Sequence, residues 1–293
     1  MKPKLSLDFK GFRTFLKVCV SNKSLLFGLI IVFGYVIMAV AGPFFVPLDT
    51  VGMSEPYQLP SLEHIFGTDY IGRDIFGQIV HGTKDVLLLA TMASVITIFI
   101  SVLLGTIAGM EGGKIDAMLT FVTDIFLTIP SFPLLVVVSS MIKGLSNPLI
   151  LGVIIALVSW ASPARAIRSQ VLSLKKRDFV EASRCLGFNT LYIIFFDVLP
   201  LIMPYVIINM LLITIGAIYS LVGLALIGAI PWSETNWGVM INIAVNYAGA
   251  ITVPKALPYL LAPLGAIALL QVGLIMISQS LEEYFNPRLR ERK

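Results

Sequence analysis

Apolar runs near 20 residues recur along the whole chain, the length of helix that crosses a bilayer core about 30 Å thick. Six such runs stand out: Leu25–Val46, Val86–Gly109, Met118–Ile142, Leu149–Ile167, Ile193–Ile227 and Ala256–Leu281. The fifth is over-long, so it is tilted, kinked or partly re-entrant. Ala39-Val40-Ala41-Gly42 looks like a small-residue cleavage site. The apolar stretch before it, however, exceeds a signal core and follows more than twenty residues. It is read as an uncleaved first span.

Composition agrees. Hydrophobic residues make up 57% of the chain and charged residues 13%, against about 25% charged in soluble domains. The net charge of +4 comes with no basic-aromatic patch that would suit a nucleic acid.

Basic residues set the orientation. Lys2, Lys4, Lys10, Arg13, Lys17 and Lys23 precede the first span; Arg165, Arg168, Lys175, Lys176, Arg177 and Arg184 follow the fourth; Arg288, Arg290, Arg292 and Lys293 follow the sixth. The segment between spans one and two instead carries Asp49, Glu55, Glu63, Asp69 and Asp74. Six spans with both termini in the cytoplasm satisfy this pattern. Cys19 and Cys185 then both face a reducing compartment, and no disulfide is expected.

The breaks between runs have their own character. Residues 1–23 alternate Leu and Phe with Lys, which suits an interfacial amphipathic helix and equally a basic tail. In the polar insertion 47–83, Asp69 and Arg73 stand four apart, a helical pairing distance. As a surface pair they are expected to hold a structural elbow, worth ~0.3–0.5 kcal/mol. Pro130, Pro133, Pro163, Pro200, Pro204 and Pro263 interrupt spans three to six. Such kinks serve either a pathway or packing. Trp232 and Trp237 place residues 228–255 at the outer membrane boundary, a segment that is a candidate to dip back into the membrane.

Enzymatic and nucleotide motifs fail. Gly109–Lys114 lacks the glycine and hydroxyl positions of a phosphate loop. His64 and His81 form no zinc motif, and no Gly-x-Ser-x-Gly elbow exists. Asp124 and Asp197 are lone carboxylates in spans, a weak basis for proton coupling.

The cytoplasmic segment 172–200 remains. Asp178 reads as an N-cap with Glu181 three residues on, a capping box. Phe179, Ala182, Cys185 and Leu186 share one face, and Glu181 and Arg184 another. Gly187 is the natural stop, and Asn189-Thr190 restarts a helix into Leu199-Pro200. Two readings stay open on physics alone. One is a membrane-surface elbow; the other has Ala182, Ser183 and Gly187 kept small for a partner's groove.

The order Glu181-Ala182-Ser183-x-x-x-Gly187, closed by Val198-Leu199-Pro200, resembles the signature of the membrane subunits of bacterial and archaeal ABC importers, with Ser183 for the usual second alanine and Asp197 less ordinary. His64–Asp74 resembles a long motif of the second permease of dipeptide, oligopeptide and nickel systems. Asp124 with Pro130, the segment Pro231–Met240 and the tail Asn286–Arg290 are similar to further segments of that branch. The resemblance spans nearly the whole chain.

It implies an all-α polytopic membrane protein of the type I ABC importer permease fold, multi-pass in the cell membrane. The implied division is an N-terminal segment 1–23, a first helix and extracytoplasmic loop 24–82, a core of five helices 83–282 with a coupling helix 178–190, and a tail 283–293. The implied partners are a second permease chain, two ATP-binding subunits and an extracytoplasmic solute-binding protein. ATP and Mg are used by those ATPases, and no cofactor or metal by this chain, which is no enzyme. Glu181, Ala182, Ser183, Arg184, Gly187, Leu199 and Pro200 become the ATPase-coupling residues, with Glu181 meeting a basic residue. Tyr205 and Asn209, four apart on span five, are candidates for the solute pathway; Asn209 equally fits a bond between helices. Peptides are the expected solute, with oligosaccharides on the same scaffold the first rival and a proton-coupled carrier the second.

Overall fold

A computed structural model describes residues 22–48, 54–142, 147–230 and 235–286. The N-terminal residues 1–21, with Cys19, and also Trp232 and the basic tail lie outside the described residues. Among those described the chain is all-helical: α1 Lys23–Phe45, α2 Ile75–Glu111, α3 Gly113–Thr128, α4 Ser131–Met141, α5 Pro148–Ser159, α6 Ala161–Leu174, α7 Asp178–Cys185, α8 Thr190–Leu226, α9 Trp237–Asn246 and α10 Leu257–Phe285.

Helices α1, α2, α8 and α10 are each long and apolar enough to cross a membrane. The third and fourth apolar runs are each broken. Between α3 and α4 the axis turns by 86°, and between α5 and α6 by 52°. Pro130 ends α3 because it has no N–H for the continuing ladder. The second bend falls at Trp160, three residues before Pro163. Counting each bent pair as one span gives six, otherwise four. The second run begins earlier than its apolarity suggested, because Asp74 caps α2 through Gly77 N at 2.6 Å. This also puts His81 on a helix rather than in a loop, with its Nε2 2.8 Å from Val46 O.

Helix α2 is the central column, with α1, α3, α5, α6 and α8 packed on it. Small residues set the spacing: a Cβ on Gly105 would stand 2.6 Å from Ala164 O, the close approach that membrane helices use in place of a hydrophobic drive. Helix α1 runs against α2, with Gly42 beside Val80. The start of α1 and the ends of α2 and α10 therefore share one end of the bundle. The 54–74 loop and α9 occupy the other.

That loop is held from within. Asp69 and Arg73 sit in a turn, not on a helix, closed by Gly72 N to Asp69 O at 3.1 Å. Their pair is buried, not on the surface, at 2.8 Å. Trp237 is likewise fully buried rather than half wet. Its indole N–H donates to Ile79 O at 3.1 Å, and its ring meets Tyr35 edge-on.

Candidate coupling site

Helix α7 lies between α6 and α8, at the same end as the start of α1. Its first residue is Asp178, and Arg177 in extended conformation precedes it as the N-cap. The expected capping box is absent. Arg177 O already accepts from Val180 N at 3.0 Å and Glu181 N at 3.3 Å, so Asp178 is inside the helix and cannot cap it. Asp178 and Glu181 near the N-terminus and Arg184 in the last turn instead suit the helix dipole. The other end closes as a Schellman motif: Phe188 N donates to Ser183 O at 3.2 Å and Gly187 N to Arg184 O at 2.9 Å. Gly187 takes φ +82° there, a conformation glycine enters at no steric cost.

The face expected to be apolar points outward. Phe179, Ala182, Cys185 and Leu186 are exposed, as are Glu181 and Arg184. What holds α7 is Val180, which is fully buried in a cluster with Met110, Ile167, Val171, Ile193 and Val198. Ser183 is half-buried beside it in sequence on the same face. Leu199 and Tyr205 border that cluster, while Pro200 is exposed. Sequence reasoning passed over Val180, whose signal was a lone apolar residue three before Ser183. It also passed over Phe188, Tyr192 and Phe196, stacked at 4.2 and 4.7 Å beyond Gly187.

Helix α8 starts with a wider turn. Residues Ile193–Val198 are π-helical, with Leu199 N bonded to Ile194 O. Pro200 and Pro204 follow and withhold two N–H donors, which favours such a bulge. Within it Asp197 Oδ2 is buried with no hydrogen-bond partner among the described residues. Asn209 Nδ2 closes on its own helix at Tyr205 O, 2.9 Å away, and makes no bond to another described helix. Tyr205 and Asn209 are both half-buried.

Asp124, expected to stand alone, is paired. Arg165 holds it across α3 and α6, and Arg168 holds Asp116 through Nε at 2.5 Å and Nη2 at 2.6 Å. The two pairs flank a cavity of about 370 Å³ with Thr120 and Thr123 in its wall. Of the two pairs, Arg168–Asp116 is the less exposed. Lys175 Nζ additionally reaches Met110 O, tying the approach to α7 onto the end of α2. Cys185 is free and exposed. Among the described residues no three His, Cys, Asp or Glu side chains gather as metal ligands.

A profile of the family described as binding-protein-dependent transport system inner membrane component matches residues 101–291, which take in α7 and all of α3 to α10. The chain belongs to this family. It is similar to the oligopeptide transport system permease protein OppC of Bacillus subtilis, 30% identical over 279 residues, covering 92% of this chain and 88% of that one. It is 35% identical over 246 residues to the dipeptide transport system permease protein DppC of the same organism, covering 82% and 74%. An oligopeptide permease protein of Mycobacterium tuberculosis matches at 28% over 243 residues, covering 83% and 82%. This member of the family is thus a multi-pass protein of the cell membrane, a transport permease subunit that works within a larger complex.

Proposed function

We propose that this chain is one of two permease subunits in an ATP-driven importer of peptides, and that α7 is the element through which separate ATPase subunits move it. The observation that carries this is the mounting of α7. One buried side chain, Val180, fixes a short helix to the bundle while Glu181, Ala182 and Arg184 face out, and among the described residues neither Glu181 nor Arg184 has an ion-pair partner. A helix mounted this way offers charge and small residues to a partner's groove and passes force to the core beneath. Leu199 and Tyr205, bordering the Val180 cluster, connect that force to α8.

In this reading six spans leave both termini in the cytoplasm, with core 83–282. A second permease, two ATPases binding ATP and Mg, and an extracytoplasmic binding protein complete the assembly. Closure of the ATPases shifts a two-state bundle, and Glu181 meets a basic residue of one of them. Peptides are favoured by the names of the three relatives; oligosaccharides have no such support. Of the two carboxylates that the proton-carrier rival could use, Asp124 is paired with Arg165.

The test is ATP-dependent peptide uptake by the reconstituted complex carrying Gly187→Glu. Loss of uptake, with the chain still in the membrane, is expected. Unchanged uptake, or solute transport without any ATPase, overturns the proposal.

A further inference from the structure

A cup of about 390 Å³ opens where α8 ends, at the end of the bundle opposite α7, with Leu226, Gly228, Val239, Asn242, Asn246 and Tyr247 in its wall. Asn242 is 8% exposed. Its Nδ2 donates to Ala225 O at 2.8 Å and to Leu226 O at 2.9 Å. Both partners are carbonyl oxygens, which only accept, so nitrogen must be the amide atom turned toward them. The two N–H groups are thereby spent. What Asn242 has left for the cup is Oδ1, an acceptor with no partner among the described residues.

The two carbonyls belong to the C-terminal turn of α8, the negative end of the helix dipole. An amide that donates into such carbonyls becomes a stronger acceptor at its own oxygen, because linked hydrogen bonds polarise one another. Partial negative charge therefore reaches Oδ1. Among the described residues no charged side chain lines the cup. The ring of Tyr247, 66% exposed, adds a face that attracts cations. A divalent metal would want carboxylates, and the described wall of the cup carries none. Leu226 and Val239 beside the acceptor suit a hydrocarbon side chain next to a charged head.

We propose that this cup is a subsite for a protonated primary amine, the α-ammonium group of a peptide in transit. The inference rests on the reading that the chain lines a path for peptides. Partial charges in place of a carboxylate hold an ammonium weakly, as conduction requires of any site that must also release its occupant. The cup also terminates a face of α8 that carries Tyr205, Asn209, Gly216 and Ser220 at helical spacing. A Cβ on Gly216 would meet nothing within 4 Å, so the face is open at that residue.

The experiment uses the full chain within its transport complex in membrane vesicles, with Cys19 and Cys185 replaced by serine and Asn246→Cys as the probe position. Labelling rates are measured with an ethylammonium and an ethylsulfonate methanethiosulfonate, each divided by that reagent's rate on a free thiol. The cationic reagent should lead by about tenfold. Dialanine should slow its reaction while N-acetyl-dialanine does not. Adding Tyr247→Lys should abolish the preference. Equal normalised rates, or equal protection by both peptides, overturns the proposal. Peptide uptake by the wild-type complex is read separately. Uptake without any charge preference sinks the cup alone, and a charge preference without peptide uptake sinks the functional reading instead.

Discussion

Arg73 donates through Nε to Asp69 Oδ2 at 2.8 Å, and both side chains are almost completely buried. The carboxylate does more than pair. Its Oδ1 accepts from Ile71 N at 3.0 Å and Arg73 N at 2.9 Å, and its Oδ2 also accepts from Gln78 Nε2 at 3.0 Å. One side chain thus ties a turn, a guanidinium and the first turn of α2 together. The acidic loop residue reads as architecture, because its oxygens are taken up by the turn, by Arg73 and by Gln78.

Removing that carboxylate orphans buried donors and a buried charge. Asp69→Ala is expected to destabilise the chain by about 3–5 kcal/mol, and Arg73→Met by less, since three N–H groups still stabilise the Asp69 charge. Thermal unfolding in detergent checks the order; a larger loss for Arg73→Met contradicts it.

Val180 should be the mechanical mount of α7. Val180→Ala leaves a cavity worth about 1–3 kcal/mol at one site. The expected consequence is ATP hydrolysis that no longer yields uptake, with the bundle intact by melting temperature. Parallel loss of hydrolysis and of folding would instead make Val180 an ordinary core residue.

At Gly187 the cost is conformational, because a Cβ would meet nothing within 4 Å. With φ at +82°, Gly187→Ala should cost about 1 kcal/mol. Gly187→Asn should cost less and Gly187→Val more, since asparagine tolerates this region and a β-branched residue does not. Uptake at limiting ATP should rank the three variants in that order. Equal effects would point to a contact with a partner instead of strain.

The two ion pairs between α3 and α6 should differ. Asp124 and Arg165 are both 52% exposed, so Arg165→Ala should cost ~0.2–1 kcal/mol and vanish in high salt. Arg168 grips Asp116 through two bonds with less exposure, and Arg168→Ala should cost about 1.5–3 kcal/mol with weaker salt dependence. Melting curves at low and high salt separate the two.

The apolar runs, the Gly187 stop and the break at Pro130 were legible from local order alone, whereas α8 and α10 run on through Pro204 and Pro263. Each depends on a stretch of neighbouring residues, and local terms add along the chain. The capping box was misread because Asp and Arg compete for one position. Which residue becomes the N-cap depends on where the backbone of the preceding turn is already extended, and Arg177 is held there by α6. Trp237 was placed at the water boundary on composition, yet Ile79 O supplies its N–H with a partner in the interior, so burial costs nothing.

From residue order alone came a chain of membrane helices, the position of a charged, small-residue turn between two of them, and the kinship that this turn resembles. Apolarity and motif spacing are properties of adjacent residues, and they survive any rotation of a helix about its axis. That rotation, and the choice of neighbours, belonged to the folded bundle. It turned Val180 inward and Phe179 outward, joined Asp124 to Arg165 across α3 and α6, and spent both donors of Asn242 on the end of α8. A buried polar atom takes whichever partner packing brings within about 3 Å, and no distance along the chain encodes that meeting.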